Sequence, residues 1–131
     1  MSFDTITEQM KSVGRRKVLL GFSFDTNGAA SPTVINQGID KPVTSVARTG
    51  VGLLTVTFGK DWQAPTAKLV ALSMAAPSDS QAMAKTWTVG TGSGSTLTIE
   101  TLTAGAAADI AAASGNRIEV MLWFDLATEA P

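Results

Sequence analysis

The side chains best equipped for acid–base work are the carboxylates Asp25, Asp40, Asp61, Asp79, Glu100, Asp109, Glu119 and Asp125, scattered from end to end. Two of them held close together beside an aromatic platform would make a glycosidase centre. No local spacing draws a pair together, and the ordinary role of such residues is solvated surface charge. The chain contains no histidine, so it lacks the commonest general base, the usual partner of a nucleophilic serine and the commonest imidazole metal ligand. It contains no cysteine either, which removes thiolate metal sites and disulfides. These residues lead us to expect no enzyme, no catalytic residue, no metal site and no cofactor.

Two other residue groups carry chemistry of a weaker kind. The run Val89-Gly90-Thr91-Gly92-Ser93-Gly94-Ser95 has the glycine density of a phosphate loop. It lacks the Lys-Ser/Thr ending and no helix follows it, so it reads as a hairpin loop. Trp62, Trp87 and Trp123 could stack on a sugar ring, but Trp87 and Trp123 sit inside strand-like runs, which favours the core or a subunit contact. The absence of tyrosine weakens the case for a recognition surface.

Those residues must be positioned by a single domain, because 131 residues suit one hydrophobic core. With 44% hydrophobic and 16% charged residues the composition is that of an ordered globular protein. A formal net charge of −1 gives no positive field for nucleic acid or anionic membrane, and neither is an expected partner. No run of apolar residues is long enough for a spanning helix, and the opening residues lack a secretory h-region, so a soluble product is expected.

Residues 1–16 form the first expected unit. Phe3, Ile6, Met10 and Val13 recur at helical spacing, Thr5 with Glu8 makes a capping-box start, and Gly14 supplies a stop. Arg15, Arg16 and Lys17 then place positive charge at the helix's negative end. So short a helix needs another surface to be stable, either the domain's own core or a neighbouring subunit.

Residues 17–131 form the second. Val18, Leu20, Phe22 and Phe24 fall on one side against Leu19, Gly21, Ser23 and Asp25 on the other, the mark of a half-buried strand. Turn formers over 27–32 and 38–42 leave only a short edge strand near residues 33–35. Residues 43–48 and 53–58 read as a hairpin closed by Gly50 and Gly52. Further strands are expected over 68–74, 86–89, 96–102 and 117–126, the last running through the sheet centre. The alanine-rich stretches 75–85 and 104–116 are expected to be loops with a helical turn. The count comes to about seven strands, which favours an all-β fold, an antiparallel β-sandwich or a closed barrel, over any α/β arrangement.

Two segments go beyond a generic pattern: SVARTGVGLLTVTF at 45–58 and LTAGAAADIAAASGNRIEVMLWF at 102–124. Together they resemble small virion structural proteins of tailed bacteriophages. In that family an Arg-Thr-Gly-x-Gly turn precedes a Thr-Val-Thr strand, and an Ala-Ala-Asp loop leads through Asn-Arg into a hydrophobic last strand. Leu54 departs from the pattern, since related chains often carry an aromatic there.

The resemblance implies a β-sandwich on the capsid exterior, made in the host cytoplasm and assembled as a symmetric oligomer, with a trimer the best match. The implied role is a decoration or cement protein bound to the major capsid protein. Phe3, Ile6, Met10 and Val13 would then anchor an arm, and Arg15, Arg16 and Lys17 would meet acidic capsid surface. The alternative is a receptor-binding or carbohydrate-binding module of a fibre, using Trp62 or Trp87; a lytic glycosidase using scattered carboxylates is a third reading.

Overall fold

Alternation of apolar and polar residues governs nearly the whole chain, and it gives strands. The computed structural model describes residues 15–127 and is all-β there, with two antiparallel sheets packed face to face. The expected helix, with Phe3, Ile6, Met10 and Val13, lies outside the described residues.

The first sheet contains β1 (Arg15–Asp25), β2 (Ile35–Asn36), β5 (Ala67–Ser73) and β9 (Arg117–Ala127), in the order β2-β1-β9-β5. The second contains β3 (Val43–Gly50), β4 (Leu53–Phe58), β7 (Thr96–Thr103) and β6 (Ser80–Thr88), in the order β3-β4-β7-β6. There β8 (Ala106–Ala107) pairs with β7. The last long strand, β9, is central as expected, paired along its full length with β1 and flanked by β5. The short strand near residue 35 is an edge, also as expected.

The core is built from the inward residues of both sheets. Phe24, Val56, Phe58, Leu97, Ile99, Ile118, Val120 and Leu122 are fully enclosed. Burial in β4 and β7 alternates strictly, so one face of each is core and the other faces out. Leu54, the departure from the family pattern, is itself buried.

Two expectations need correction. Residues 75–85 are not one loop, because β6 begins at Ser80. A bulge between Ala84 and Thr86 leaves Lys85 without a partner, so Ala82, Ala84 and Trp87 all face the core although the last two are three residues apart. That extra residue breaks the period of two by which a strand is recognised. The 104–116 stretch contains no helix; it opens with a tight turn into β8 and continues as irregular chain. Arg15 and Arg16 open β1, paired with Ala127 and Leu126, and the helix expected before them lies outside the described residues. The count rises from about seven to nine because of the two-residue strands β2 and β8.

Candidate functional site

Five of the eight carboxylates have structural partners among the described residues, and the eight are not gathered. Asp25 pairs with Arg117, Asp125 with Lys17, Glu100 with Lys85 and Asp109 with Arg48. Asp61 accepts from the Gly94 amide at 2.8 Å. Among the described residues no three His, Cys, Asp or Glu side chains come together as metal ligands would. The molecule offers instead a latch at one end of the sandwich, an aromatic cluster at the other, and an apolar outer face.

The latch joins the two segments singled out in the sequence. Arg48 Nη2 donates to Asp109 Oδ2 at 2.8 Å and Nε to Oδ1 at 3.3 Å, a two-pronged contact. Asp109 Oδ1 also accepts from the Gly52 amide at 3.0 Å. Arg48, and secondarily the Gly52 amide, hold this carboxyl below its ordinary range against the opposing effect of burial. Gly52 is required here: its φ is +66°, and a Cβ would lie 2.6 Å from the Thr101 carbonyl oxygen. Thr101, itself buried, donates its amide to the Gly52 carbonyl and its hydroxyl to the Ala108 carbonyl at 2.6 Å. Around it, buried Asn116 donates to the Ala111 carbonyl and accepts from the Ala75 amide. The alanine-rich stretch is thus irregular yet closely hydrogen-bonded.

At the opposite end, Trp62 and Trp87 close the core. Phe58 stacks on Trp87 at 5.2 Å and lies 5.7 Å from Trp62, while Phe124 touches both rings. The glycine-rich run is the β6–β7 hairpin loop, as expected. Ser95 is fully buried there, donating to the Trp62 carbonyl at 2.6 Å and accepting from the Gly90 amide at 3.0 Å. Trp62 also lines two open grooves, one with Lys41, Lys60 and Asp40, the other with Leu19 and Ile39. Tryptophan as core is therefore right for Trp87 and only half the role of Trp62.

Trp123 takes neither role. It points outward from β9, on a row with Leu19 of β1 and Ala67 of β5. The next row is Gly21, Met121 and Leu69, and the one after it, Ser23, Glu119 and Ala71, ends the apolar part of the face. Leu19 and Leu69 are each about half exposed, at 52% and 50%. The outer face of the other sheet is different: its central rows are Ser45, Thr57, Thr96, Thr88 and Ala47, Thr55, Thr98, Thr86. One sheet is dressed for water, and the other carries an apolar strip between the ion pairs Lys17–Asp125 and Asp25–Arg117. Contiguous apolar surface of this kind marks an interaction site.

Of the residues expected to contact a partner, Lys17 lies at the rim of this strip and is bound to Asp125 at 3.2 Å. Arg15 and Arg16 precede it on the same strand, and Phe3, Ile6, Met10 and Val13 lie outside the described residues. Sequence reasoning missed both the latch and the strip. The latch partners are 61 residues apart, and the strip needs the lateral order of three strands. No family model, curated protein or solved structure matches the chain.

Proposed function

We propose that this chain is a bacteriophage virion structural protein, a decoration or cement protein that binds the capsid exterior and bridges neighbouring subunits of the major capsid protein. The observation that carries the reading is the apolar outer face of the four-stranded sheet, beside a threonine-covered counterpart on the other sheet. A rigid sandwich with one sticky face can stabilise a shell by burying apolar area across subunit boundaries, without covalent chemistry. The resemblance of 45–58 and 102–124 to phage virion proteins supplies the identity of the partner. The preceding segment, with Phe3, Ile6, Met10 and Val13 and the basic residues Arg15, Arg16 and Lys17, extends the contact. A homotrimer suits the local threefold positions of such shells.

The test is co-sedimentation with shells assembled from the cognate major capsid protein. Wild-type protein and Thr88→Asp should pellet with the shells, and Leu69→Asp should lose most of its binding. If Leu69→Asp pellets like wild type, the apolar face is not the contact. If wild-type protein stays in the supernatant, the decoration role fails.

A second reading has one observation in its favour. Trp62 lies at the junction of two open grooves that also hold Lys41, Lys60 and Asp40, the arrangement of a small sugar-stacking site on a fibre-associated module. Quenching of Trp62 fluorescence by host glycans, measured in Trp87→Phe/Trp123→Phe protein, distinguishes it from the cement role.

A further inference from the structure

We propose that β5 is an interaction edge along which two free copies of this chain pair antiparallel, about a twofold axis at Val70. The inference does not rest on the capsid reading: it concerns free copies, and its twofold symmetry sets it apart from the threefold arrangement proposed for bound ones.

The open edges of the two sheets are not alike. A strand with unpaired backbone groups invites pairing with another chain, and native folds blunt such edges by shortness, bulges or charge. β2 is only two residues long, and the register of β3 is broken near both of its ends. β6 carries the bulge at Lys85. The part of β1 that β2 does not reach opens with Arg15, Arg16 and Lys17, and at Leu19 to Gly21 it shares a groove with the 38–42 turn. β5 has none of these defences. Its sequence AKLVALS holds no proline and a single charge, and its seven residues pair with β9 in unbroken register. The core also opens on this side. Val70 and Leu72 remain partly exposed although their β9 partners Val120 and Ile118 are fully enclosed, whereas Val43 and Val46 close the core on the β3 side.

Backbone geometry selects the partner. The Asp25 amide donates to the Val34 carbonyl at 3.1 Å, so odd-numbered residues of β1 address β2 and even-numbered ones address β9. Carried across the sheet, odd-numbered residues of β9 address β5, as the Trp123 carbonyl does in accepting the Thr66 amide at 2.8 Å. Ala67, Leu69, Ala71 and Ser73 therefore bond to β9, while Lys68, Val70 and Leu72 aim their N–H and C=O groups away from the sheet. No described residue pairs with them there. Spaced evenly about Val70, these three residues are their own complement. In an antiparallel pair Val70 exchanges both bonds with Val70 of the second copy, and Lys68 exchanges both with Leu72 of the second copy, so every open backbone group of the edge is satisfied. The side chains agree: Val70 meets Val70, the Lys68 stem lies along Leu72, and no like charges stand opposite each other. On the outer face Leu69 of each copy adjoins Ala71 of the other, which joins the two apolar strips on one side of a continuous sheet. The contact is isologous and closed, so it ends at two copies.

Sedimentation equilibrium of the full-length protein should give twice the mass of one chain. A monomer or a trimer overturns the inference. Lys68→Pro removes an edge amide that β9 does not use, at an exposed position, and sets a ring in the path of the second copy. It should weaken dimerisation about tenfold while far-UV circular dichroism keeps the sheet signal. A folded Lys68→Pro protein that dimerises like wild type overturns the inference. Because the chain has no cysteine, single cysteines read the register. Val70→Cys meets its own copy across the axis and should form an intermolecular disulfide under mild oxidation about tenfold faster than Ser73→Cys, which the pairing sets opposite Ala67 and away from its own copy. Equal rates overturn the inference even where Lys68→Pro fails to fold.

Discussion

Replacing Asp109 by alanine removes three hydrogen bonds at once: two from Arg48, at 2.8 and 3.3 Å, and one from the Gly52 amide at 3.0 Å. The pair is neither exposed nor fully enclosed, with side-chain exposures of 25% and 20%. Its value therefore falls between the surface figure of about 0.2–1 kcal/mol and the cost of breaking a buried pair, about 3–5 kcal/mol. The abandoned Gly52 amide adds about 1 kcal/mol, since Gly52 is buried. A loss of roughly 2–4 kcal/mol follows, and for a domain of this size that lowers Tm by roughly 8–16 °C. The assay is urea unfolding followed by tryptophan fluorescence and by circular dichroism, so that coincidence of the two transitions is checked. Acid provides the control. The folded Asp109 carboxyl titrates below its unfolded value, so its contribution is complete above the unfolded value and is lost as pH falls through the folded one. The gap between wild type and Asp109→Ala should be constant from pH 7 to about pH 5 and narrow below about pH 4. A variant within 0.5 kcal/mol of wild type at pH 7, or a gap that persists undiminished in strong acid, would refute the reasoning.

Gly94→Ala should be severely destabilising, because φ there is +97° and a Cβ would collide with the Phe58 carbonyl; the melting curve should show a loss above about 3 kcal/mol. Ser95→Ala leaves the Gly90 amide without its side-chain acceptor and the Trp62 carbonyl with only the longer Trp87 indole N–H bond at 3.3 Å, and should cost about 1–3 kcal/mol in urea titration. Ala104 is a non-glycine residue at φ +53° in the two-residue turn before β8, so Ala104→Gly should stabilise by roughly 0.5–1 kcal/mol, read as a raised urea midpoint at unchanged slope.

The fold was legible where the period of two ran unbroken. Residues 18–24, 54–58 and 118–124 carry their inward side chains at every second position, and each is a strand with that face in the core. Legibility failed where a bulge shifted the phase, as at Ala84 to Trp87, and where alanine supplied both faces of a turn, as before β8. The latch shows a different limit. Arg48 stands near the end of β3 and Asp109 in the irregular chain after β8, with nothing local to link them; only the packing of the two segments brings them together. The apolar strip was invisible for a related reason. Alternation set Leu19 opposite Leu20 and Phe22, but it assigned Leu69 no face and left Trp123 to the core or a subunit contact, and the adjacency of the three depends on β9 lying between β1 and β5.

That central placement of β9 also sets the order in which the molecule can be made. β1 and β5 have β9 as their long neighbour, and β9 is the last strand of the described chain, so neither can complete its pairing until residues 117–127 are synthesised. The other sheet draws its long strands from residues 43–103 and can assemble while synthesis continues. Maturation should therefore be limited by the arrival of β9, a closure of long sequence separation and correspondingly slow. Until then the inward residues Val18, Leu20, Phe22 and Phe24 remain uncovered, which leaves the nascent chain vulnerable to aggregation until β9 is in place.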